Sequence, residues 1–488
     1  MSSCKVVFTL AVLGALSAFA INDLDAVIDI YSRNRSSSGA SLRVNNERSS
    51  TSLARSLAHY TMGIIYDNEA RADKAAKEYE AAIRLDPDIS YVHTRLAADH
   101  FILKDVEKAF AEIKRAKELD PKDAKPGFIA ALIYTSLGRF EDAQKEYGEI
   151  MRLAPGSIWA LSSLADIYVL QEKMAAAAEV YEKLIEREKE SDLLYFNLGI
   201  IYSRIGKLDK GIEALKSAIV LNPRYIEAYI GLGVMYGMKE DFDAAALNFE
   251  KALEIDPENA SIYRHLARLF LKAKRYGDAL RQCETIVKLD PEDADAYVEW
   301  ADIHIIEKRP DQAIAVLEKA LSLGLKDVDL YLALGYSYAL SDKGPRALEL
   351  YNMALETAPN DPRTHYYLGT YYEKVKDRAS AAKQFREAIR LDRDYADAYN
   401  YLGYMFAEEG VELDEALELT GKAVALDPES GAFLDSLGWA LFKKGRTDEA
   451  LIYIDKALKF EPGDPVIMDH FEKVKEKLQS ETKVKIAK

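Results

Sequence analysis

The chain has 488 residues, 49% of them hydrophobic and 30% charged. That suits several ordinary domains or one long array and excludes a low-complexity tract. The formal charge of −16 and a pI near 5.1 exclude a broad nucleic-acid-binding face, which needs a basic stripe.

Residues 1–20 read MSSCKVVFTLAVLGALSAFA. Lys5 precedes an apolar run from Val6 to Ala20 that ends Ala18-Phe19-Ala20. A charged start, an apolar core and an A-x-A end are the layout of a secretory signal peptide. The run is shorter than the roughly 20 residues that span a bilayer comfortably. Cleavage after Ala20 is expected, with an uncleaved N-terminal anchor as the alternative. The expected location is therefore exported, periplasmic or envelope-associated, with no stable membrane insertion after cleavage. Residues 21–52 form a polar linker rich in Ser, Arg and Asn, which can bury little apolar surface. After cleavage only Cys283 remains, so the fold has no internal disulfide. Cys283 falls where its neighbours in the pattern carry a core side chain, and a small buried thiol is expected there.

From about Leu53 the chain repeats. Proline recurs at Pro87, Pro121, Pro155, Pro223, Pro257, Pro291, Pro359, Pro428 and Pro462. The missing beats fall on Lys189, Leu325 and Arg393, where the rest of the unit persists. Twelve units result, over residues 53–462. The clearest copy is Ile226 to Pro257. There Tyr229, Leu232, Gly233 and Tyr236 recur at three- and four-residue steps, and so do Ala245, Phe249 and Ala252. Each set is one face of a helix. Small residues let the two helices approach, large ones fill the space around them, and Pro257 stops the second helix.

This unit resembles the tetratricopeptide repeat, a helix–turn–helix unit with a period of about 34 residues. Counting Ile226 as position 1, the segment carries every consensus residue. Tyr229 stands at 4, Leu232-Gly233 at 7–8, Tyr236 at 11, Ala245 at 20, Phe249 at 24, Ala252 at 27 and Pro257 at 32. Position 20 is alanine in eleven of the twelve units and Gly211 in the other. The resemblance implies an all-α fold, an α-solenoid wound as a right-handed superhelix of about twelve helix-turn-helix units.

One spacing breaks. Arg393 to Pro428 spans 35 residues, and the extra residue lies in the turn between Ala407 and Asp414. The wording of the last two units resembles a C-terminal repeat pair of exported or envelope repeat proteins of bacteria. Residues 463–488 read as a capping helix, Asp464 to Leu478, followed by a basic tail. A terminal unit must cover the last apolar face and present a polar one.

No glycine-rich phosphate loop, nucleophile elbow, paired-cysteine site or HExxH motif is present. His59, His93 and His365 occupy position 4, His100 and His304 position 11, and His265 position 6. These are mostly aromatic packing slots. No enzyme activity, cofactor or metal is expected.

The resemblance implies that a ligand would meet positions 2, 5, 9, 12 and 13 of each first helix. The N-terminal half carries large apolar residues there, among them Tyr60, Phe101, Phe128, Trp159, Phe196, Ile230 and Met238. Repeat seven places Arg264, Arg268 and Lys272 at four-residue steps on one stripe, facing Asp295 and Asp302 of repeat eight. Arg268 with Asp302 is the expected ion pair. Beyond lie Tyr336, Tyr366, Tyr404 and Trp439. Position 5 is never lysine and position 9 never asparagine, so the carboxylate clamp of chaperone-binding members is absent. Only Asn197 fits the asparagine ladder of the sugar-transferase type. The expected function is a non-enzymatic scaffold whose partners are proteins or extended peptides. The alternatives are an accessory subunit of an envelope polysaccharide or protein export system, a carbohydrate-binding groove, and an unrecognised enzyme.

Overall fold

The structure is a computed structural model that describes residues 46–486. The expected signal segment and most of the linker lie outside the described residues. Among the described residues there are twenty-five helices and no strand. The first twenty-four alternate as the first and second helix of repeats one to twelve, and the last, Pro465–Ile486, follows repeat twelve. The chain divides into two compact units between Lys239 and Glu240. Unit one holds repeats one to five and the first helix of repeat six. Unit two holds the second helix of repeat six, repeats seven to twelve and the last helix.

The turn inside each hairpin explains the period. Ser90–Ile102, the first helix of repeat two, ends with Lys104 in the left-handed region at φ 66°. The Lys104 N–H donates to the Phe101 carbonyl at 2.9 Å and the Asp105 N–H to the His100 carbonyl at 2.8 Å. These two bonds satisfy carbonyls that the helix end would otherwise leave open. The Asp105 side chain then accepts from the Lys108 N–H at 3.2 Å and starts Val106–Leu119. Left-handed residues recur 34 apart, at Gly138, Glu172, Gly206, Glu240, Lys274, Lys308, Asp342 and Lys376. The 35-residue repeat absorbs its extra residue with two left-handed positions, Gly410 and Glu412.

The hairpin interior follows the assigned register. All eleven position-20 alanines are fully buried. A β-carbon at Gly369 would lie 2.7 Å from Phe385 Cε1, so position 8 must be small where a ring fills position 24. In several repeats position 4 ties the unit to the one before. The Tyr229 hydroxyl donates to the Pro223 carbonyl at 3.4 Å, and the Tyr263 hydroxyl to that of Pro257 at 3.1 Å. His93 fills the same slot. Its Nε2 donates to the Pro87 carbonyl at 3.0 Å and its Nδ1 meets Glu112 Oε2 at 2.5 Å. Cys283 is fully buried, and burial pushes its thiol up to about 12, so it is an inert core residue as expected.

Within a unit, the first helices of successive repeats also touch one another, as Ala294–Ile306 does Val328–Leu340 and Ala396–Glu409 does Gly431–Lys443. Second helices meet chiefly first helices. The first helices therefore crowd onto one inner face. At the C-terminus, Ile467 and Val474 of the last helix bury against repeat twelve beside Ile454 and Leu441. This helix continues to Ile486, beyond the stretch the sequence suggested.

Candidate functional site

In unit one the inner face is apolar and open. Trp159 is 70% exposed and Leu193, at the same position 2 of the next repeat, is 55% exposed. Val234 and Met238 are exposed along the first helix of repeat six, with half-buried Ile230 one turn before Val234. Phe196 is half-buried, its ring 5.0 Å from that of Tyr225. Phe128 leans edge-on against Tyr147 at 6.2 Å, and Phe101 packs beside Ile129 and Ile133. Tyr60 departs from expectation: it is 1% exposed. Its ring is wedged 5.8 Å from Tyr79 and 4.8 Å from Tyr91. The ring at position 2 of repeat two folds over it and takes it off the open face.

In repeats seven to ten of unit two the inner face is polar and largely paired. Arg264 Nε donates to Glu299 Oε2 at 2.9 Å, and its Nη2 donates to Asp293 Oδ2 at 2.6 Å. Arg268 Nη2 donates to Glu299 Oε1 at 2.7 Å. The partner of Arg268 is thus Glu299 at position 6, where Asp302 was expected. Both arginines converge on one carboxylate because Glu299 lies a turn closer to the N-terminal end of its helix. Asp293 also accepts from the Ala296 N–H at 3.0 Å, so one residue caps repeat eight and holds repeat seven. Lys272 Nζ lies 3.8 Å from Glu240 and over the Phe242 ring.

A cavity of about 450 Å³ opens beside this bridge, lined by first helices of repeats seven to ten. Arg268, Asp302, Tyr336 and Arg363 come from four successive repeats. Tyr336 is 40% exposed. Asp302 is open on one side, but the wall around it and Glu299 beside it hold its carboxyl above the usual range. Arg363 pairs with Asp329 of the preceding repeat and donates from Nη2 to Asp361 Oδ2 at 2.6 Å.

Tyr366 is half-buried among Tyr367, Tyr395 and Tyr401, with centroids 5.5 to 5.9 Å away. Burial pushes its phenol well up. Tyr404 is half-buried too, and burial with Glu408 nearby pushes it up to about 12. Trp439 is the second departure, at 4% exposed. Its ring stacks on His470 at 3.8 Å, and its Nε1 donates to Glu408 Oε2 at 2.5 Å. The last helix lays His470 over it, so a position that is open in other repeats becomes part of the cap.

The sequence reading missed Glu299 and Tyr367, which sit at position 6, outside the assumed lining positions. It also passed over Asp329 and Arg363 at position 2, and Asn400 and Asp435 at position 5. Those four positions were in the assumed set, from which the sequence points mainly to large apolar residues and the charges of repeats seven and eight. Among the described residues no group of His, Cys, Asp or Glu could hold a metal. No described helix is long and apolar enough to cross a membrane.

Family models described as tetratricopeptide repeat match residues 60–124, 130–192, 196–260, 366–430 and 412–465 in one case. A second matches 238–298 and 304–368. The chain belongs to the tetratricopeptide repeat family. Among curated relatives, a TPR repeat-containing protein of Pseudomonas aeruginosa, PA4667, is 38% identical over 94 residues, 19% of this chain and 16% of that protein. BBSome complex member BBS4 of Bos taurus is 23% identical over 171 residues, 35% of this chain and 33% of that one. The matches thus span a third or less of these relatives. Among solved structures, Naa15/Naa10 bound to HypK-THB is similar at TM-score 0.45 and 18% identity, covering 86% of this chain and 67% of that one. As a tetratricopeptide repeat protein the chain is an α-solenoid of the kind that scaffolds protein–protein interactions.

Proposed function

We propose that this tetratricopeptide repeat protein is a non-enzymatic scaffold that holds extended partner segments along its first-helix faces. The observation that carries this reading is the pair Trp159 and Leu193. Two large apolar side chains stand exposed at the same position of successive repeats, with apolar Val234 and Met238 further along in the same unit. An exposed apolar row on a face built by stacked first helices favours a ligand that buries it. The open cavity in unit two, with charge on its walls, offers a place where register could be set. The acidic balance of −16 supports a protein or peptide partner over nucleic acid. The apolar run Val6–Ala20 with its Ala18-Phe19-Ala20 end supports an exported, envelope-associated location.

The test is selection of a displayed random 12-residue peptide library on the full chain. Enriched peptides should carry spaced apolar anchors, and the Trp159→Ala, Leu193→Ala double variant should lose most of their binding while keeping its helical circular dichroism. No enrichment, or binding indifferent to the double variant, contradicts the proposal.

A further inference from the structure

The C-terminal end of unit two holds a second cavity, of about 500 Å³, with the first helices of repeats eleven and twelve and the start of the last helix in its walls. Six lining residues are acidic and only Lys376 and Arg378 are basic. Both cations are occupied: Lys376 Nζ donates to Glu373 at 3.0 Å, and Arg378 pairs with Glu409. Glu408 accepts from Trp439 Nε1 and has Lys443 at 3.8 Å. Asp435, Glu461 and Asp464 have no lysine or arginine partner among the described residues.

Asp435 gives the site its sign. It is 4% exposed, and its Oδ2 accepts from His470 Nδ1 at 2.8 Å. Asp435 lines the cavity, and its Oδ1 is buried with no hydrogen-bond partner. Asn400, at the same position 5 of the preceding repeat, leaves its Oδ1 buried and unpartnered on the same wall. A carboxylate in this state has only acceptors to offer, so the missing partner is a donor. A buried oxygen left without one is costly, and a ligand donor that reaches it recovers that cost. Half-buried Tyr401 and Tyr404 add aromatic rings to the wall.

We infer that this cavity receives an arginine side chain of the partner segment. A guanidinium supplies several donors in a plane, tolerates partial desolvation better than an ammonium, and stacks on tyrosine. Its charge answers carboxylates that no lysine or arginine meets: Asp435, which has His470, and Glu461 and Asp464, which accept from backbone N–H groups. The assignment rests on the groove reading above and adds the chemistry of one anchor to it.

The test titrates Nα-acetyl-arginine N-methylamide, its lysine and citrulline counterparts, and spermine into the full chain by ligand-observed saturation-transfer NMR. The arginine compound should bind about tenfold more tightly than citrulline, which has the same shape without the charge. Asp435→Asn should remove that advantage, and Asn400→Asp should increase it. Should Asp435→Asn lose its helical circular dichroism, the gain in Asn400→Asp decides alone. Equal binding of arginine and citrulline, or indifference to Asn400→Asp, overturns the assignment. Lysine equal to arginine, or spermine bound more tightly than either, overturns it in favour of a general cation site. If the arginine compound fails while library peptides still enrich, only this inference falls. If it binds while no peptide enriches, the groove reading falls and the cavity is a small-molecule cation site.

Discussion

At position 2 of repeats four and five stand Trp159 and Leu193, 70% and 55% exposed. At position 2 of repeats nine and ten stand Asp329 and Arg363, paired with each other. The hairpins beneath are built alike: Ala177 and Ala347, at position 20 of repeats four and nine, are both fully buried. Tyr181 and Tyr351, at position 24, are both buried against them. The interior is constrained by close helix approach, so it repeats. The face has no such constraint, so one stretch became apolar and another became a set of inter-repeat bridges. Among the described residues nothing covers the apolar stretch, whereas the charges of repeats seven to ten are largely used by the fold.

The largest effect should come from breaking what the two stretches share. Ala347→Leu overpacks the crossing beside Tyr351 and should lower the stability of unit two by about 1–3 kcal/mol. Trp159→Ala, on the open face, should stay within about 0.5 kcal/mol. Urea midpoints check both, and an unmoved midpoint in Ala347→Leu would refute the register.

That register was legible because its determinants lie within one 34-residue unit: the alanine at 20, the ring at 24, the proline at 32. The face was only partly legible. Trp159, Met238, Arg264, Arg268 and Tyr336 sit on it as their positions imply. Tyr60 and Trp439 do not, because what covers them, Tyr91 and His470, belongs to the next repeat or the cap. Arg268 found Glu299 because a side-chain pairing across repeats depends on how far the helices are staggered, which spacing along the chain does not encode. Asp435 was invisible as a site residue because an unpaired oxygen exists only once its surroundings do.

A second effect is read with pH, in unit one. In unit one Asp99 is 2% exposed, and Tyr79 and Arg95 both donate to nearby Asp67. Burial, reinforced by the Asp67 charge, holds the Asp99 carboxyl well above the usual carboxylate range. Folded unit one therefore keeps a proton that the unfolded chain has lost above about pH 4, so stability falls as pH rises from there towards the raised value. His93 acts in the same direction. Burial lowers its pKa, but Glu112 and the Pro87 carbonyl outweigh that and raise it. Its contribution is present below about pH 6.5 and lost as pH rises through the raised value. Denaturation of the wild type between pH 5 and 8 should show this decline, and Asp99→Asn should flatten it. A decline of the same slope in Asp99→Asn would refute the assignment.

The smallest effect tests whether the charges of repeat seven serve the fold. A double-mutant cycle between Arg264→Ala and Glu299→Ala should give a coupling of about 0.5–1 kcal/mol, since both groups keep some contact with water. A coupling of zero would show that the Arg264–Glu299 bridge does not serve the fold and would erase part of the contrast between the units.

The central claim is that the open first-helix face of unit one receives the partner. Repeat five carries its own control: Leu193 on the first helix is 55% exposed and Val220 on the second is 80% exposed. A photo-crosslinking amino acid is placed at one or the other, and peptides selected on the full chain are added. Crosslinking from position 193 with little from position 220 is the predicted result. Equal crosslinking from both, or crosslinking from position 220 alone, would contradict it.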